Sequence, residues 1–153
     1  MCRVHATVRG LLGEIVAGAQ DVAVVDMEAG LEHLSRGTVR HVDTVLAVLE
    51  PYYRSLETGA RVVELARELG IARVLVVVNK VRDDADRRAL EEFCRGRALP
   101  LAAVIPHDPC VLDADRAGGS LLDQAPESPS VTAIRDLAEQ LVGASGISPR
   151  EGA

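Results

Sequence analysis

Val22-Ala23-Val24-Val25-Asp26-Met27-Glu28-Ala29-Gly30 runs from an aliphatic stretch into an acid and then a glycine. The pattern predicts a buried strand over Val22–Val25 whose end delivers the Asp26 carboxylate into a loop. Nucleotide-binding sheets place a magnesium-side acid and a phosphate-sensing amide in this way. The chain continues as Leu31-Glu32-His33-Leu34-Ser35-Arg36-Gly37-Thr38, a long loop holding one short helical turn at most. Upstream, nothing before Asp21 reads as a glycine-rich, lysine-bearing phosphate cradle.

Outward from this segment, aliphatic runs and helical periods alternate. On the N-terminal side Val4, Val8, Leu11, Leu12, Ile15 and Val16 repeat at helical spacing, and Gly18 can end that helix. On the C-terminal side a second strand is expected over Thr44–Leu49, stopped at Glu50-Pro51. A helix capped by Ser55 is expected through Leu69 and closed by Gly70. The third strand, Val74–Val78, ends in Asn79-Lys80. The acids Asp83, Asp84 and Asp86 then open a helix through Arg97, where carboxylates favour the positive end of the dipole. A fourth strand, Leu101–Ile105, runs into Pro106-His107-Asp108, with a helical turn at Val111–Arg116. Ser128-Pro129 starts a last helix reaching about Val142. Residues 143–153 are poor in apolar side chains and read as a disordered tail.

Near-continuous apolar strands alternating with helices predict an α/β fold: a parallel sheet with flanking helices, in one domain over residues 1–142. Ligands of such sheets bind beyond the carboxyl ends of the strands. Asp26, Glu50, Asn79 and Asp108 all fall there. The composition agrees with a sheet of this kind. Aromatic residues make up only 2% of the chain, so Val, Ile, Leu and Ala must fill the core. A net charge of −6 without an aromatic ladder excludes a general nucleic-acid binder. No apolar run reaches the roughly 18 residues of a membrane span, and the first ten residues lack a secretory apolar stretch. Three dispersed cysteines fit a reducing compartment, and a cytoplasmic protein is expected.

The stretch Asp26 to Thr38 resembles the switch segment of the MinD/ParA-like (SIMIBI) ATPases. More narrowly, it is similar to the maturation ATPases that help insert nickel into carbon monoxide dehydrogenase. Glu50-Pro51 with Ser55-Leu56-Glu57-Thr58-Gly59, then Asn79-Lys80, then Ile105-Pro106-His107-Asp108 follow in the family's order. The resemblance spans roughly Val4 to Asp123. It implies the C-terminal part of a P-loop NTPase fold that binds ATP with Mg²⁺ and forms a homodimer on ATP. It places Asp26 at the magnesium shell, Gly30 at the γ-phosphate and Asn79 at the adenine edge. Pro106, His107 and Asp108 would form the adenine-side loop. Those assignments suit the chemistry, since Asn offers both donor and acceptor to a purine edge and a glycine amide approaches phosphate unhindered.

The phosphate loop and its lysines have no counterpart. In this family the phosphate-loop strand lies between the strand ending at Asp26 and the strand ending at Leu49. Its loss leaves about five backbone donors and acceptors on each flanking strand to be satisfied otherwise. A misplaced start, a gene remnant or a chain that re-pairs or finds a partner is expected. Met1-Cys2-Arg3-Val4-His5 resembles the segment following the family's Cys-x-Cys motif, which binds nickel or zinc across a dimer. Cys2 is then a metal-ligand candidate, with His5 at two-residue spacing. Two ligands become four only when two chains meet. The other histidines read as polar loop residues, Cys94 as a buried helix residue and Cys110 as a loop thiol. Two functions follow. One is an ATP-binding maturation factor for metal-centre assembly, inactive alone without its lysines, with a client metalloenzyme as partner. The other is a non-catalytic module that pairs with a full-length ATPase.

Overall fold

The computed structural model of the protein describes residues 22–27 and 42–144. The expected helix over residues 4–17, the residues Cys2, His5, Gly30, His33 and His41, and the tail beyond 144 lie outside the described residues. In chain order the elements are β1 (Thr44–Leu49), α1 (Tyr53–Glu68), β2 (Arg73–Val81), α2 (Asp84–Gly96), β3 (Leu101–Pro106), α3 (Pro109–Arg116), α4 (Leu121–Gln124) and α5 (Pro129–Ala144). The strands form one parallel sheet in the order β1-β2-β3. Each is joined to the next by a helix, as parallel pairing demands.

β2 is the centre. Val76, Val77 and Val78 are all buried, so successive side chains are covered on opposite faces. One face packs beneath α1 and α2: Ala47, Leu49, Val76 and Val78 meet Leu56, Ala60, Val63, Ala66, Leu90 and Cys94. On the other face Val77 and Ile105 meet Leu137 of α5, with Ala133 and Leu141 beside them. At the C-terminal end of α2, the Arg97 guanidinium grips the carboxylate of Glu57, in the N-terminal half of α1, with both nitrogens and lies over the Phe93 ring, 5.0 Å from its centroid.

Three expectations need correction. Val22–Val25 is not a strand. It is irregular and exposed, with Val24 at 90%. An aliphatic run becomes a strand only where a ladder neighbour takes its backbone groups, and none of the described strands pairs with it. Ser55 is not the cap of α1. The helix begins three residues earlier behind Tyr52, which offers no side-chain cap. The Ser55 hydroxyl instead accepts from the Glu50 amide at 2.9 Å, pinning the turn after β1. The last helix runs two residues past Val142, to Ala144. The other caps match their sequence signals. Asp83 accepts from the amides of Ala85 and Asp86 at the start of α2, and Ser128 precedes Pro129 with its hydroxyl toward the Val131 amide.

α1 approaches β1 closely because residue 59 has no side chain. A Cβ on Gly59 would lie 2.8 Å from Leu49 Cγ and nearer still to both δ carbons. Gly59→Ala should therefore lower stability by about 1–3 kcal/mol through overpacking, although alanine is worth about 1 kcal/mol more than glycine inside a helix. Urea unfolding checks this. In a double-mutant cycle with Leu49→Ala the penalty of the second methyl should shrink, and a stabilised Gly59→Ala single variant would contradict the close approach.

Candidate functional site

The carboxyl ends of the three strands bring Glu50, Asn79, Lys80 and Pro106–Asp108 to one edge of the sheet. The local cause is a bulge. From Val78 to Val81 β2 advances three residues while β3 advances two, from Val104 to Pro106, so Asn79 and Lys80 together oppose Ile105. Lys80 takes up the extra residue in a left-handed conformation, φ 61°, which a non-glycine residue holds at a cost of order 1 kcal/mol. Bulges re-aim side chains, and this one has two consequences. The Lys80 ammonium reaches Glu50 at the end of β1, Nζ to Oε1 2.9 Å. The Asn79 side-chain Oδ1 accepts from the Lys80 amide at 2.8 Å, which engages the acceptor of this half-buried carboxamide and leaves its NH₂ as the donor. Across the bulge the His107 amide donates to the Val81 carbonyl at 2.8 Å, fixing the start of the loop. The His107 side chain is exposed.

Asp108 behaves differently from an exposed loop acid. It is buried, and its carboxylate is taken up by protein donors. One oxygen caps α3 through the Cys110 amide at 3.0 Å. The other accepts from the Ser130 hydroxyl at 2.8 Å and the Ser130 amide at 3.2 Å, at the start of α5. The Ser130 hydroxyl foremost, with the two amides, holds this carboxyl far below the usual carboxylate range even though burial pushes the other way. The same carboxylate pushes the neighbouring Cys110 thiol up. Asp108 therefore ties the loop after β3 to the opposite layer. Residue spacing alone does not reveal this role, because the donor lies 22 residues away. The Ser-Pro-Ser at 128–130 offers the matching signal: two hydroxyls at a helix start with no acid of their own.

Asp26 is an exposed carboxylate on the irregular segment of residues 22–27, and Gly30 and Cys2 lie outside the described residues. The structure thus brings Asn79, Pro106, His107 and Asp108 to the carboxyl ends of β2 and β3, while Asp26 stands on a segment that pairs with no described strand. A single carboxylate beside phosphate oxygens and waters is the oxygen-rich surrounding Mg²⁺ takes, so the chemistry of Asp26 fits that ion. For nickel or zinc the described residues hold no converging group of three His, Cys, Asp or Glu. No helix among the described residues is long and apolar enough to cross a membrane.

Asp108→Asn should lower stability at neutral pH by about 1–3 kcal/mol, the cost of mismatched donors at a buried group. The folded value lies below the ordinary 3.8 of the unfolded chain. The carboxylate's stabilisation is therefore full above that value and is lost as pH falls through the acid range. Urea midpoints of the two proteins should differ clearly at pH 7 and converge as the pH falls below about 4.

No family model matches the sequence. The chain is 37% identical over 154 residues to the carbon monoxide dehydrogenase accessory protein CooC of Rhodospirillum rubrum, covering 99% of this chain and 56% of that protein. It is 35% identical to the uncharacterized ATP-binding protein MJ0823 of Methanocaldococcus jannaschii over 77% of this chain and 46% of that one. Among solved structures it is similar to the septum site-determining protein MinD of Pyrococcus horikoshii, in complex with Mg-ADP. The TM-score is 0.76 and the identity 23%, over 95% of this chain and 60% of that one. The chain spans about half the length of the curated relatives it matches. Over that half, it is a homologue of CooC and has the fold of the MinD/ParA-type structures.

Proposed function

We propose that this chain is the base-binding half of an ATP-dependent accessory factor for metal-centre assembly, with nickel delivered to a carbon monoxide dehydrogenase-type enzyme as the cargo step. The observation that carries this reading is the identity to CooC along nearly the whole chain. The geometry supports it at one end. Asn79 lies in β2 opposite Ile105, next to a loop fixed at His107 by the Val81 carbonyl and at Asp108 by Ser130, an edge suited to an adenine. Asn79, Pro106 and His107 make the base side. Asp108 sets their position, and Asp26 and Gly30 serve the Mg²⁺ and γ-phosphate. ATP with Mg²⁺ supplies dimer-driving binding energy, and its hydrolysis resets the factor. Cys2, with the same residue of a second copy, contributes to a nickel or zinc site. The setting is the cytoplasm.

Phosphoryl transfer rests on cations that neutralise the phosphates, and the single lysine of the sequence, Lys80, is engaged with Glu50. The 153-residue chain alone therefore binds nucleotide weakly and does not turn it over. A second reading, a non-catalytic module that pairs with a full-length ATPase, is favoured by the open edge of β1, which has a strand on one side only among the described residues.

Titrating the labelled chain with MgATP should move the amide resonances of Asn79, Lys80 and His107. Asn79→Ala should weaken that response about tenfold, the worth of one lost hydrogen bond of ~1.4 kcal/mol. GTP giving equal shifts would remove the adenine role of Asn79. Phosphate release by the lone chain that vanishes in Asp26→Ala would contradict its inactivity.

A further inference from the structure

Lys80 is tied at both its backbone and its side chain. Its amide donates to Asn79 Oδ1 at 2.8 Å, and its ammonium meets Glu50 Oε1 at 2.9 Å. The first contact decides which way the Asn79 carboxamide is turned, because only the oxygen can accept from an N–H. The second reaches from the end of β2 to the end of β1. Glu50 is itself a fixed post. Its amide donates to the Ser55 hydroxyl at 2.9 Å, and its carbonyl accepts from the Tyr52 amide at 2.8 Å. A continuous run of contacts therefore leads from the first turn of α1, through Ser55, Glu50 and Lys80, to the side chain of Asn79.

The backbone at Lys80 gives this run its consequence. Among the described residues only Lys80 and Ala98 combine a side chain with positive φ. Ala98 lies just past the end of α2, where a left-handed residue is ordinary. Lys80 lies inside a strand. There the left-handed form of a non-glycine residue is disfavoured about fivefold or more. An exposed ion pair favours its closed form by about 1.4- to fivefold. The two effects overlap in size, so the grip of Glu50 on Lys80 weighs on how fully the left-handed turn is populated. We infer that Lys80 is a positioning residue with Glu50 as its anchor: their ion pair holds the turn that orients Asn79 toward a bound base. What Asn79 meets rests on the nucleotide reading above; how Asn79 is held rests on these contacts alone. Glu50, one strand away, thereby tunes base binding without touching the nucleotide.

Three variants of the 153-residue chain separate holding from contact. Lys80→Gly removes the ammonium but takes positive φ freely. Lys80→Ala removes the ammonium and keeps the strain, and Glu50→Gln removes only the anchor's charge. Two readouts are taken: the Asn79 side-chain NH₂ resonances of the free chain, and the MgATP titration. Glu50→Gln and Lys80→Ala should shift those resonances and weaken the MgATP response about two- to fivefold. Lys80→Gly should restore the MgATP response of the starting chain, and adding Glu50→Gln to it should change neither readout. Resonances indifferent to Glu50→Gln overturn the hold on Asn79. So do shifts that persist when Glu50→Gln is placed in the Lys80→Gly chain, since they are direct effects of the charge. Lys80→Gly weakening MgATP as much as Lys80→Ala would show that the ammonium itself meets the nucleotide. Tighter MgATP binding in Glu50→Gln would show that Glu50 competes for that ammonium. Either result overturns the positioning role. Free-chain shifts as expected, with no resonance moved by MgATP, would confirm the hold on Asn79 and overturn the nucleotide reading alone.

Discussion

The ladder of β2 between its two neighbours is the constraint on which everything else depends. A strand paired on both edges and covered on both faces can tolerate no polar side chain along its run, which is why Val74 to Val78 is unbroken aliphatic sequence. Every polar group needed for chemistry is displaced to the strand's exit. There the bulge at Asn79-Lys80 interrupts the pairing, which resumes at the buried Val81. The same strand sets the depth of both helical layers, since its buried valines contact α1 and α2 on one side and α5 on the other.

What the sequence reveals of this arrangement follows from how local each signal is. β1 occupies the residues expected of it because both boundaries are chemical: Asp43 before it and Glu50-Pro51 after it. Asp83 and Ser128-Pro129 were legible for the same reason, as caps written within four residues of the amides they serve. The left-handed Lys80 was not legible, since an Asn-Lys pair carries no sign of positive φ. Nor was the internal use of the Asp108 carboxylate, which depends on a serine brought near only by α5 packing on β3. Val22–Val25 marks the opposite failure. Its aliphatic run satisfied the strand pattern, yet strand formation depends on a neighbour that the run itself cannot specify.

The candidate site is accordingly one-sided. The edge at the ends of β2 and β3 is built, with its loop held from the β2 side by a carbonyl and from the α5 side by a hydroxyl. Asp26 stands on an exposed segment, and Gly30 lies outside the described residues. Homology to CooC and the MinD-like fold account for the order in which these pieces occur along the chain.

The Asp108–Ser130 link also imposes an order on synthesis. The loop that follows β3 leaves the ribosome 22 residues ahead of the hydroxyl that holds it, roughly 1–4 s at ordinary elongation rates. During that interval the carboxylate has only the nearby Cys110 amide and water. The sheet can assemble through β3 while the rim next to it remains unset, and the rim becomes rigid only when the final helix docks. A segment made after the sheet thus finishes this edge, so α5 acts as a folding checkpoint for the loop after β3.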